Sequence, residues 1–445
     1  MKRPKLFLLV LLLIAVCGCS VQIYDLQPII IGTNTPTPTL VKTKPFNGVT
    51  ASPGVRADTP TPPIHIAPTQ ITSITAVNIL EINMIDGGTG WGIGQIPGEK
   101  DKMVLRTTDN AERWKNVTPS QAVYDYADKN TEVSGCFRDA NHAWLIFYEK
   151  DAYDSRNGIV VWYTEDGGQA WESVNLPISG YAVQYLSDPQ ISFLDNQNGW
   201  IFARIGRSEN REYVGIYTTH DGGKSWTAMV TTNSDNLPST GKKNGAVFRD
   251  TLEGWISCES TLNEPDLVLW HTTDGGNTWY KQQLPTPYGF NIPDGLLWDP
   301  SYTCSLSVPK FVDFQYQYAW SVLQCTPADG VSEPVSILYW TYDRLSTWKT
   351  YRLPAAAGDL SFYGIEYGWY AVANAPGSDY PYQILFTEDG GENWRTASQL
   401  AWDSKLQFIT PAIGYGIATY MGIPALVKTS NSGFSWEQIF PMAAP

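Results

Sequence analysis

Charge is scarce in this chain. Asp, Glu, Lys and Arg make up 17% of its 445 residues, against roughly 25% in a typical soluble domain. Histidine is rarer still, with four copies. His65 lies in a Thr/Pro-rich stretch, His142 in a turn, and His220 and His271 beside repeated turns. No Gly-x-Ser-x-Gly elbow, CxxC pair or phosphate-cradling glycine loop occurs, which weighs against serine hydrolases, zinc sites and nucleotide chemistry. Beyond the N-terminus no long segment spaces its apolar residues helically, and there are no heptads. Basic residues are outnumbered, for a net charge of −14. Lys2, Arg3 and Lys5 belong to the N-terminal leader, so the body stands at −17. Such a body repels nucleic acid. Neither a nucleic-acid partner nor a cofactor or metal is expected.

What is abundant is aromatic: 18 Trp, 25 Tyr and 15 Phe, with 38 Gly, a mix that favours turn-rich β structure. The first 19 residues, MKRPKLFLLVLLLIAVCGC, lead from basic residues into the apolar run Leu6–Val16. That run is short for a bilayer span and fits a secretory signal. It closes on Cys17-Gly18-Cys19, similar to a bacterial lipobox, with Cys19 as the lipidation site. The expected address is extracytoplasmic, on the bacterial cell membrane through the lipid. Residues 20–70, with TNTPTPTL and DTPTPPIHIAP, read as a disordered linker. Residues 71–445 are the folded body.

One octad recurs seven times in that body: TTDNAERW at 107–114, TEDGGQAW at 164–171, THDGGKSW at 219–226, TTDGGNTW at 272–279, TYDRLSTW at 341–348, TEDGGENW at 387–394 and TSNSGFSW at 429–436. Its third position is Asp109, Asp166, Asp221, Asp274, Asp343, Asp389 or Asn431, and its last is Trp114, Trp171, Trp226, Trp279, Trp348, Trp394 or Trp436. The Asp accepts backbone N–H bonds, and the glycines, missing from the first and fifth copies, supply positive φ. A second element precedes each octad, around Trp91, Trp144, Trp200, Trp255, Trp320, Trp369 and Tyr415. In four copies an Asp stands five residues ahead of it: Asp86, Asp139, Asp195 and Asp250. Each period has room for four short strands, as in PQISFLD, GWIFARI, YVGIYTT and SWTAMVT of the third copy. Seven such periods predict an all-β, seven-bladed β-propeller of four-stranded antiparallel blades.

The octad resembles the Asp-box, or bacterial neuraminidase repeat. Paired with the Gly-Trp element, it is similar to the photosystem II stability and assembly factor family of propellers, over residues from about 75 to 440. The Asp-box also occurs in sialidases, xyloglucanase-type glycosidases and sortilin-like receptors. The resemblance implies a propeller that binds or assembles proteins. The alternative it leaves is a glycan-binding protein or a glycoside hydrolase working through two carboxylates.

Topology puts the first-to-second and third-to-fourth turns of every blade at one end of the ring. Both repeated turns therefore share an end and read as structural. The opposite end carries the variable loops, where binding residues concentrate. Candidates there are Asp151, Tyr153, Asp154 and Arg156 in EKDAYDSRNG, and the triplet Arg204, Arg207 and Arg211 in RIGRSENREY. Tyr288, Phe290, Trp298 and Tyr302 fall in an insertion expected over 285–307. The expected partner is an extracytoplasmic protein or a glycan, bound by a monomer, and no catalytic residue is singled out. Cys304 and Cys325 flank a strand pair and could bridge, while Cys136 and Cys258 read as buried free thiols. The seventh blade either completes itself or borrows a strand from residues 71–75.

Overall fold

The structure is a computed structural model; it describes residues 74–122, 131–149, 159–178, 186–208, 211–230, 237, 239–261, 268–287, 301–313 and 315–444. Its architecture is a seven-bladed propeller of antiparallel sheets, with four consecutive strands to a blade. The third blade is representative: Ser187–Phe193, Gly199–Ser208, Arg211–Thr219 and Thr227–Val230 pair in that order.

Period-two alternation decides how the blades pack. Along Gly199–Ser208, Ile201, Ala203 and Ile205 join Trp144 and Ile146 of the second blade. Trp200 and Phe202 point the other way, to Ile256 and Trp270 of the fourth. The other seams repeat this, so there are seven apolar clusters, one between each pair of neighbours. The second strand of a blade thus carries apolar residues on both faces, which contributes to the low charge content.

A rule of ring stacking runs around the seams. The second-element Trp lies against the Phe that ends the next blade's first strand. Trp144 stacks on Phe193 at 3.6 Å, Trp200 on Phe248 at 4.5 Å and Trp369 on Phe408 at 3.5 Å between centroids. The octad Trp of that next blade then meets the Phe edge-on, as Trp226 does Phe193 and Trp436 does Phe408. Such edge contacts suit the aromatic quadrupole. The Phe also explains the glycine of Gly-Trp: a Cβ on Gly254 would come within 2.3 Å of the Phe248 ring.

Ring closure corrects one of the two sequence-based expectations. The seventh blade completes itself from Asp403–Phe408, Gly414–Tyr420, Ile423–Thr429 and Glu437–Ile439. Thr75–Ala76 does not join it. The C-terminal Met442–Ala444 crosses to the first blade and lies parallel to its outer strand Arg113–Asn116, and Thr75–Ala76 pairs outside it. Both chain ends are thereby tied to the first blade. At the inner side, Gln407 Oε1 accepts the Met84 N–H at 2.7 Å.

The fifth blade departs most from the pattern. Its first strand is split into Tyr302–Leu306 and Lys310–Phe311 around Pro309. Cys304 and Cys325 face each other across the first pair and form a disulfide. The insertion expected to run to residue 307 therefore ends before Tyr302. Cys258 is a buried free thiol; Cys136 is also free, but only half-buried. Burial pushes the Cys136 thiol up to about 11, so it stays protonated and unreactive.

Candidate functional site

Seven octads make one turn. In the third blade the Thr219 hydroxyl donates to Asp221 Oδ1 at 2.8 Å and accepts the Gly223 N–H at 3.0 Å. Asp221 Oδ1 also accepts the Ser225 N–H at 2.9 Å. The Thr-to-Asp (or Asn431) bond recurs in all seven copies at 2.7–3.0 Å, and the N–H bond to the same oxygen at 2.8–3.0 Å. The fourth and fifth octad positions take positive φ in every copy, including Asn110, Ala111, Arg344 and Leu345 where glycine is missing.

Each octad turn is bonded to the other turn of its own blade. The fourth-position N–H donates to the carbonyl three residues before the second-element Trp or Tyr in all seven blades, as Gly222 does to Gln197 at 2.9 Å. That second turn is built the same way: Asp86, Asp139, Asp195 and Asp250 each accept two backbone N–H bonds. Indole N–H groups then tie blades together, Trp144 to Gly222 at 2.7 Å and Trp369 to Ser432 at 2.8 Å.

In five octads these bonds hold the carboxylate below its ordinary value. Asp166 sits below its ordinary value chiefly through the Ala170 N–H. In Asp221, Asp274, Asp343 and Asp389 partial burial is the largest single influence and acts upward, yet the hydrogen bonds together outweigh it. Carboxylates so engaged in their own turns are structural.

The axis is different. First strands of neighbouring blades lie side by side, each presenting unpaired N–H groups to the last. Side chains of the preceding blade cap them. Ser134 accepts from Ile191, Ser361 from Phe408, and the Asp359 carboxylate from Leu406 at 2.6 Å. One register tier is set by the residues opposite the second position after each Trp or Tyr: Glu81, Ser134, Gln190, Gly245, Asp359 and Lys405. Blades six, seven and one thus place Asp359, Lys405 and Glu81 in a row.

Burial pushes Asp359 upward, against the pull of Lys310 and Lys405. Glu81 is raised mainly by burial too, with Glu132 adding to it and Lys405 and Lys102 opposing. Towards the loop-bearing end Lys102 pairs with Glu132 at 2.5 Å, and Glu132 faces Tyr148 across a strand pair. Burial first, then Asp188, Glu132 and Glu81, pushes Tyr148 up to about 12, so its hydroxyl remains a donor. Among the described residues the side chains of Glu81 and Lys405 make no hydrogen bond or ion pair. This sector therefore offers an exposed acceptor and an exposed donor near a tyrosine hydroxyl.

The candidates read from sequence fare unevenly. Asp151, Tyr153, Asp154, Arg156, Tyr288, Phe290 and Trp298, like Cys19, lie outside the described residues. Arg204 bonds Asp188 and Glu212, both at 3.1 Å, and the Lys243 carbonyl. It anchors a hairpin to the fourth blade. The loop expected around it is mostly strand, since Arg207 and Arg211 belong to Gly199–Ser208 and Arg211–Thr219. Tyr302 is a half-buried strand residue packed on the cluster between blades four and five. Glu81, Lys102, Glu132, Tyr148, Asp359 and Lys405 were missed. Their one signal was a charged or polar residue within an otherwise apolar strand.

No family model matches the chain. A xyloglucanase from a Paenibacillus species is 22% identical over 245 residues, 40% of this chain and 23% of that enzyme. The chain thus spans less than a quarter of that relative. Among solved structures, YCF48 from Cyanidioschyzon merolae has a TM-score of 0.48 at 17% identity, covering 81% of this chain and 98% of its own. The GH74 xyloglucanase from Xanthomonas campestris has a TM-score of 0.49 at 11% identity, covering 84% and 55%. Likeness this distant leaves activity to be argued from the chain's own residues.

Proposed function

We propose that this propeller is an extracytoplasmic scaffold, lipid-anchored to the bacterial cell membrane through Cys19, that holds a protein partner at the loop-bearing end of its axis. The observation supporting this is the row Asp359, Lys405 and Glu81, in which the exposed Glu81 and Lys405 side chains make no hydrogen bond among the described residues while the Asp-box carboxylates are engaged in their turns. A partner supplying a cation to Glu81 and an acceptor to Lys405 would match this alternating charge. The test is cross-linked capture in the native membrane with the full chain, beside Glu81→Lys and Lys405→Glu. One protein recovered by the parent and by a Glu388→Lys control, but lost from both axial variants, supports the scaffold. Equal recovery by all four sinks it.

A glycan-directed reading has its own support. Burial, with the nearby Glu132, pushes the Glu81 carboxyl upward beside Tyr148, and glycoside hydrolysis calls for two carboxyl groups flanking the scissile bond. Hydrolysis of a plant or bacterial oligosaccharide panel that Glu81→Gln and Glu132→Gln each abolish would replace the scaffold reading with this one. A panel left intact by the parent chain removes it.

A further inference from the structure

Four of the most exposed apolar side chains gather at one place, the seam between blades seven and one. Met421 is 82% exposed, Ile74 68%, Phe440 65% and Ile423 49%. Met421 occupies the tight turn joining Gly414–Tyr420 to Ile423–Thr429, at φ 51. Phe440 lies where the chain crosses from the seventh blade to the first. It lines a groove of about 190 Å³ with Val77, Ile79, Pro97, Ile423 and Leu426. On its other side it meets Ile74 in a second, wider cleft. A projecting, unbranched Met at a turn tip beside an exposed Phe is an arrangement that water disfavours and no fold requirement explains.

We infer that this seam rests on a lipid surface, with Met421, Ile423 and Phe440 entering the interface of the membrane to which the chain is tethered; the inference relies on the lipid anchor proposed above. Two observations choose the bilayer over a second copy. The patch consists of a few side chains, short of the roughly 800 Å² per partner that a stable dimer buries, and two bodies of this net charge repel each other. The described chain also enters at this seam, at Ile74, about 55 residues beyond Cys19. Even fully extended, about 55 residues reach no more than about 200 Å, so a lipid on Cys19 confines the seam to the neighbourhood of the bilayer. A weak apolar contact is then enough, because anchoring makes it an intramolecular event. The acidic body excludes electrostatic attraction to anionic lipid, so the contact is apolar and is not weakened by salt.

The experiment uses the full acylated chain on vesicles of phosphatidylethanolamine and phosphatidylglycerol. Peroxide oxidation of Met421 is followed by mass spectrometry, with the chain freed in detergent as the reference. Vesicles should slow sulfoxide formation at Met421 about tenfold, at low and high salt alike, and Phe440→Ser with Ile423→Ser should restore most of the rate. Equal rates on vesicles and in detergent overturn the inference. So does protection matched by a dimer in light scattering that the double variant dissolves. The mass of the N-terminal peptide reports separately whether Cys19 carries lipid. An unlipidated Cys19 defeats the anchor reading. The seam is then tested by flotation of the unlipidated chain with the same vesicles, and failure to float defeats it.

Discussion

At the octad end of the ring, carboxylates stand where backbone N–H groups converge, and Asp166, Asp221, Asp274, Asp343 and Asp389 are held below their ordinary range. Along the axis, Glu81 and Asp359 stand where first strands from neighbouring blades close in, and burial pushes them up. The residue types are the same and the outcomes opposite, because a turn supplies donors locally whereas an axial strand faces only its neighbour. The first end repeats seven times nearly without variation. The second differs from blade to blade: Glu81, Ser134, Gln190, Gly245, Asp359 and Lys405 share one tier. Repetition marks what the fold needs, and the irregular end is where this protein's own function is to be sought.

The largest expected effect attacks the repeated end. Trp369→Ala removes a fully buried indole, its stack on Phe408 and its bond to Ser432 in the next blade. It should cost about 3–5 kcal/mol, read as a lower urea midpoint. A loss below about 1 kcal/mol would mean that the seams do not act as continuous cores.

Asp221→Ala comes next. It strips acceptors from Thr219, Ser225 N–H and the Ser225 hydroxyl, for about 1–3 kcal/mol. Its pH signature follows from sign. Asp221 is depressed in the fold, so its contribution is complete above the unfolded value near 3.8 and fades as pH falls towards the folded one. The gap between parent and variant should narrow on acidification, and a gap that widens refutes the assignment.

Asp359→Asn inverts that behaviour. Asp359 is raised, so the folded state takes up its proton first as pH falls. Stability from this group increases as pH drops from the folded value to 3.8, and at neutral pH the charged form carries the full penalty of burial. Asparagine keeps an oxygen for the Leu406 N–H without the charge. The variant should equal or exceed the parent near neutral pH, and its advantage should vanish near pH 4. Greater loss at neutral pH than in acid would place Asp359 with the octad carboxylates.

Much of the repeated end was legible and little of the axis was. The octads marked the turns, and the Asp or Asn position accepted the backbone N–H bonds expected of it. One further repeat was visible but unread: Met84, Phe137, Phe193, Phe248, Phe362 and Phe408 each stand seven residues before their Trp or Tyr, and Phe311, behind the longer Asp313 turn, stands nine before Trp320. The axial tier was open to counting but not to motif reading: Glu81, Ser134, Gln190, Gly245, Asp359 and Lys405 each stand ten residues before their Trp or Tyr, yet no residue type repeats there to mark the position. Arg204 misled because its partners Asp188 and Glu212 lie on other strands, where spacing carries no information about contact.

The smallest effect separates conformational strain from packing within the octads themselves. Ser432 holds φ 61 where four other copies have glycine, and a left-handed residue with a Cβ costs about 1–2 kcal/mol. Glycine relieves that but loses about 0.5–1 kcal/mol of unfolded-state freedom, so Ser432→Gly should gain about 0.5 kcal/mol. Leu345 holds nearly the same φ, 60, but is buried at 1% exposure in the cluster between blades four and five. There Leu345→Gly should lose about 2 kcal/mol or more, since the emptied volume outweighs the relief. Opposite signs at these adjacent positive-φ positions of the turn would show that the glycine-free fifth octad retains Leu345 for the seam behind it. A loss in both would show instead that the turn tolerates positive φ at no cost.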